Sequence, residues 1–218
     1  MNTRFPTLLL LIVLCLPLGC KSARPTSEAP RGVATGYTIT VAPFTQPVTT
    51  SQLITGIIPE HQGRIPVDML ASLDIKLREL LAGDQKHRYS FAWPTRQHPL
   101  QDITRFHNSE QPQALPLWVA YGKKLGADAL LIPQVIDWRE RQGSSAGVTE
   151  SAQVRVEFFL LKVSDATIVN RSIFEEKQMG LADNLLTVGN FLKRHGTWVT
   201  ASELAADGMA KAIKDMNL

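Results

Sequence analysis

The sequence predicts an α/β fold, a two-layer sandwich in which helices pack on a mixed sheet with an antiparallel meander. Three observations predict it. Strand-like runs of alternating apolar residues recur along the chain, and two stretches between the early strands carry leucines and aromatics at helical spacing. Late in the chain, three strand-like runs follow one another with only turns between them. The resulting order is β-α-β-α-β-β-β-(α)-α, and helices covering a sheet of this kind enclose one core.

Each element has its own signal. Tyr37, Ile39 and Val41 share one face of a first strand that Pro43 ends or confines to an edge. Pro66 opens a helix at its favoured first-turn position, Leu70, Leu73, Leu77 and Leu80 follow at helical spacing, and Gly83 stops it. Tyr89 to Trp93 alternates and halts at Pro94, while 95–114 reads as a polar, exposed loop. A second helix runs from about Leu115, with Leu117, Trp118, Tyr121 and Leu125 on its apolar side and Gly126 as its cap.

Ala129 to Pro133 is nearly all apolar, as in a strand buried on both faces, and the run continues to Trp138. Residues 142–150 read as a glycine- and serine-rich turn. From Gln153 to Val163, Val154, Val156, Phe158 and Leu160 fall on one side, and Arg155 and Glu157 on the other. Ser164 and Asp165 turn the chain into the last strand of the meander, Thr167 to Glu176. Leu185, Leu186, Gly189 and Leu192 allow a short helix within 180–195. Thr200 opens the final helix with a capping box, because Glu203 stands three residues on, and Ala205, Met209, Ala212 and Met216 form its inner side.

Composition narrows the function classes. With 44% hydrophobic and 20% charged residues, the 218-residue chain can build a packed core. Its 23 basic and 20 acidic side chains leave +3, too little and too scattered for a nucleic-acid surface. Two cysteines exclude a disulfide scaffold and a four-cysteine zinc site.

The N-terminus reads as an address. Arg4 precedes an apolar run of 11 residues, Leu8 to Leu18, which has the length of a secretory signal and is too short to span a bilayer. It ends in Leu16-Pro17-Leu18-Gly19-Cys20, which resembles the lipobox of bacterial lipoproteins. That resemblance implies cleavage before Cys20 and acylation of its thiol, and Lys21 at the next position implies sorting to the outer membrane. Residues 1–19 are thus expected to be the signal peptide, 20–36 a lipidated cysteine and polar tether, and 37–218 one α/β periplasmic domain.

Within that domain, Thr40-Val-Ala-Pro-Phe44, Leu125-Gly-Ala-Asp-Ala-Leu-Leu-Ile-Pro-Gln134 and Leu161-Lys-Val-Ser-Asp165 resemble motifs of the CsgG, LpoB and TolB-N-like group of envelope lipoproteins. The resemblance implies a non-enzymatic role as a lipid-anchored partner-binding or assembly factor. Its partner would be an envelope protein or a peptidoglycan-associated one. The 142–150 turn is too short to hold the long amphipathic hairpins of a channel.

Two kinds of residue carry candidate chemistry. Trp198 beside Lys193 and Arg194 is the candidate partner-binding cluster, since an aromatic beside cations suits an anionic glycan or an acidic partner. Gly143-Ser-Ser145-Ala-Gly147 fits G-x-S-x-G, with Asp165 or Asp183 and His195 following in hydrolase order, so a periplasmic serine hydrolase using Ser145 is the alternative. That motif needs a helix after the serine, whereas the pattern here continues as a strand. No histidine pair has zincin spacing, His98 and His107 read as loop residues, and neither metal nor cofactor is expected. For the four tryptophans, packing in or at the edge of the core is the default reading.

Overall fold

The computed structural model describes residues 37–83, 89–94, 109–179 and 196–218. The signal segment, Cys20, the tether and the helix allowed within 180–195 lie outside the described residues. In chain order the elements are β1 (Thr38–Val41), α1 (Val67–Gly83), β2 (Ser90–Ala92), α2 (Ala114–Lys124), β3 (Ala129–Arg139), β4 (Gln142–Gly143), β5 (Val148–Glu150), β6 (Gln153–Lys162), β7 (Thr167–Lys177) and α3 (Ala201–Met216).

Five strands form one mixed sheet in the order β2-β1-β3-β6-β7. The first three run parallel, because α1 and α2 supply the long crossovers that parallel pairing needs. The turns after β3 and β6 let the rest pair antiparallel. Thus the mixed sheet, the meander and the helices packed on it are as the sequence predicts. The helices are divided between the two faces. Stepping from β1 to β2 and then back across β1 to β3 reverses direction, and right-handed crossovers then place α1 and α2 on opposite sides.

The core follows that division. On one face, Ile39, Leu131, Val135, Val156 and Phe158 pack under Leu73 and Leu77 of α1 and Leu204 and Met209 of α3. On the other, Leu130, Ile132, Phe159 and Leu161 pack under Trp118 and Tyr121 of α2, whose rings meet edge to face at 5.8 Å. β3 is therefore buried on both faces, as its apolar run predicts, and only Arg139 at its end is exposed. Trp138 is buried in the first core, and Arg78 lies 4.5 Å over the ring of Trp93.

Local signals act as read. The Thr200 hydroxyl accepts the Glu203 N–H at 3.2 Å, and the Glu203 carboxylate accepts the Thr200 N–H at 2.7 Å. Gly126, at φ 65°, ends α2. One reading is corrected: residues 142–150 are not a plain turn but a two-stranded hairpin, β4 against β5. Gly143 takes φ 121° there, and a Cβ on it would stand 2.5 Å from the Gly147 carbonyl, so the tight crossing selects glycine.

Candidate functional site

At the end of the sheet where β3 leaves, β6 begins and β7 stops lies an open cleft of about 790 Å³. Arg139, Thr149, Glu150, Gln153, Lys177 and Trp198 line much of it. The sequence marks Trp198 as an aromatic beside cations, just before the last helix. The structure gives it a place and a set of ties.

The segment carrying Trp198 is fixed by its backbone. The buried side chain of Gln178 clamps it from both sides: its Nε2 donates to the Thr197 carbonyl and its Oε1 accepts the Val199 N–H, each at 2.7 Å. The Gln178 N–H in turn donates to the Ala152 carbonyl at 3.0 Å, which locks the clamp to the start of β6. The Trp198 N–H donates to the Ser145 carbonyl at 2.9 Å, and its own carbonyl accepts from the Arg141 guanidinium. Glu140 then accepts the Ala201 N–H at 3.0 Å at the first turn of α3. A carboxylate at that helix end is favoured by the exposed N–H groups and the dipole. The indole is thereby half-buried on a rigid frame beside the hairpin.

Two cations, Arg139 and Lys177, line the same cleft. Arg139 stands 3.4 Å from Asp137, and its guanidinium donates to the His61 carbonyl. Asp137 is buried, and it accepts the Gly63 N–H at 2.6 Å and the Gln153 Nε2 at 3.1 Å. Lys177 is exposed at the end of β7. Opposite, Glu150 accepts from Gln142 Nε2 at 2.8 Å. Trp198, Arg139 and Lys177 line one cleft, where an aromatic and two cations suit a partner with apolar and acidic groups. Gln178 and Asp137, which build this frame, were missed by sequence reasoning: a glutamine that clamps backbone leaves no periodic pattern.

Lys193 and Arg194, the cations the sequence placed next to Trp198, lie outside the described residues, as do His195, Asp183, His98 and His107. Ser145 is exposed in the β4–β5 loop, and a strand rather than a helix follows it, so the strained strand-to-helix turn of a nucleophile elbow is not formed. Asp165 lies in the β6–β7 turn, where bonds to Lys162 and Ser164 hold its carboxyl below the usual range. The length of β6, about 30 Å, separates that turn from the hairpin. Among the described residues, no group of three His, Cys, Asp or Glu is placed to hold a metal.

The fold thus belongs to the α/β sandwiches built on a mixed five-stranded sheet, here with a charged, aromatic cleft at one end. No family model matches the chain, and no curated protein matches it. Solved structures give distant likenesses. PelC from Paraburkholderia phytofirmans, solved as a dodecamer, is 15% identical over 86% of this chain and 92% of its own, with a TM-score of 0.46. The LpoB C-terminal domain from Escherichia coli is 15% identical over 67% of this chain and 87% of its own, at 0.37. The lipoprotein GNA1162 from Neisseria meningitidis is 16% identical over 73% and 94%, at 0.35. The resemblance to the CsgG, LpoB and TolB-N-like group rests on the sequence motifs.

Proposed function

We propose that the chain is a non-catalytic, lipid-anchored protein of the outer membrane, facing the periplasm, that binds an envelope or peptidoglycan-associated partner through the cleft at Trp198. The observation that carries the binding role is the double clamp of Gln178 on the backbone either side of Trp198. A half-exposed indole held rigidly beside Arg139 and Lys177 loses little conformational freedom on binding, and such aromatic anchors dominate interface energetics. The address rests on the apolar run and Cys20. In the sequence, Lys193 and Arg194 stand five and four residues before Trp198.

The test is a photo-crosslinking residue at position 198 of the full chain in intact cells. The expected product is one discrete adduct to an envelope protein or to glycan, lost when Arg139 and Lys177 are both changed to Glu. A crosslinker at Ile75, which is 62% exposed on α1, serves as the control for chance encounter. Equal adducts from both positions, or none from 198, would remove the cleft from the proposal.

A further inference from the structure

Apart from the cleft, the sheet presents the outer edge of β7. β7 forms one edge of the sheet and is 11 residues long, about twice the usual strand, while the opposite edge, β2, has 3 residues. The Arg171 N–H donates to the side-chain oxygen of Asn170 at 2.8 Å, so that amide is not engaged with β6 and points outward. Alternation then turns the N–H and C=O groups of Ile173 and Glu175 to the same outer side. The side chains of Arg171, Ile173 and Glu175 share one face, opposite Phe159, Glu157 and Arg155 of β6, and all three are exposed. Ile173, at 41% exposure, is an apolar residue between a cation and an anion on an edge that pairs with no further strand among the described residues.

We propose that β7 pairs antiparallel with β7 of a second copy of this chain, about a two-fold axis through Ile173. In that register Ile173 meets Ile173 of the second copy, and Arg171 meets Glu175 twice, once on each side of the axis. The neighbouring centres on this face are worse. An axis at Arg171 sets two arginines opposite each other, and an axis at Glu175 sets two glutamates opposite each other; like charges so placed are destabilising. A shift by one residue turns the matching side chains to different faces. Arg171 already bonds Glu157 at 2.6 Å, and Glu175 lies 3.6 Å from Arg155. Pairing therefore extends an existing alternation: Glu157, Arg171, then Glu175 and Arg155 of the second copy. Asn170 covers the Arg171 amide in the single chain and yields it to the incoming carbonyl. An isologous contact of this kind closes the edge of both copies at once.

Disulfide trapping in the full chain, in its own membrane, tests the register. Facing residues of a hydrogen-bonded antiparallel pair have Cα atoms about 5.5 Å apart, within the range a disulfide bridges. Ile173→Cys should run as a dimer on a non-reducing gel. Glu175→Cys should stay monomeric, as should the parent chain, because the two copies of residue 175 are offset by about 13 Å along the strand. A monomeric Ile173→Cys, or equal dimer from Glu175→Cys or the parent, overturns the register. Sedimentation equilibrium of the detergent-extracted chain tests the association itself. The parent should be dimeric, and Ile173→Lys should weaken the dimer at least tenfold, with the same thermal melt as the parent at a dilution where both are monomeric. A monomeric parent, or a variant that associates as well as the parent, overturns the proposal.

Discussion

Asp74 on α1 makes stability depend on pH in a direction opposite to that of most carboxylates. Its carboxylate accepts the Phe44 N–H at 2.7 Å, just beyond β1. Burial pushes its pKa up from 3.8 to about 6, against the lowering effects of that amide and of Arg78. The folded protein therefore holds a proton that the unfolded chain releases between about pH 4 and 6. Stability falls as pH rises through that window, and the full cost of the ionised group is present above it. About 2 pKa units at 1.36 kcal/mol each gives about 3 kcal/mol, and partial exposure of the side chain reduces this to about 1–2 kcal/mol. Asp74→Asn keeps an oxygen for the Phe44 amide and removes the charge. In urea unfolding it should exceed the parent by about 1–2 kcal/mol at pH 8 with the same m-value, and match the parent near pH 4. Equal stability at pH 8, or a gain that persists at pH 4, would refute the reasoning.

Other outcomes follow from the packing and the address. Ile132→Asp buries an unpaired carboxylate on the fully enclosed β3, a cost of several kcal/mol against a typical total of about 5–15 kcal/mol, and should abolish the cooperative melt followed by circular dichroism. Gln178→Ala strips partners from the Thr197 carbonyl and the Val199 amide and should cost about 1–3 kcal/mol in urea unfolding, with weaker crosslinking from position 198. Gly208→Val places carbon where a Cβ already stands 2.8 Å from the Phe174 ring and 2.9 Å from Val156, and should lower stability by about 1–3 kcal/mol on a thermal melt. Mass spectrometry of the mature N-terminus should find a diacylated Cys20; a free thiol there, or a different first residue, ends the lipoprotein reading.

Periodicity made the sheet legible because it records burial. β3, with apolar residues on both faces, and β6, with Val154, Val156, Phe158 and Leu160 on one face, announce their neighbours' sides directly. The capping box at Thr200 was legible for a local reason, since both partners lie within one turn. The β4–β5 hairpin was not, because strands of two and three residues are too short to show a period. The face chosen by α2 was hidden as well: its apolar stripe says that it packs, but the reversal of strand order decides where. At the cleft, Trp198 stood out as an aromatic beside cations, whereas Gln178 and Asp137 act through contacts distant in sequence. The G-x-S-x-G pattern misleads for a related reason. Glycines and serines close a hairpin as readily as they build a nucleophile turn, and only the following element separates the two.

If the chain is anchored at Cys20 as proposed, the direction of β3 sets how far the cleft stands from the membrane. Ile39, near the start of the domain, lies opposite Ala129 at the beginning of β3, whereas Arg139 at its far end lines the cleft. The chain therefore enters the domain at one pole of the sheet and presents Trp198 at the other, about 30 Å further on. On the proposed anchoring, the 17 positions 20–36, expected from the sequence to be a tether, would act as a leash of at most about 60 Å. The cleft then has a radius of action of about 90 Å from the lipid surface, a third of it supplied by the rigid domain. Each residue removed from the leash draws that radius in by about 3.5 Å, so activity measured against leash length would report the distance between the membrane and the partner.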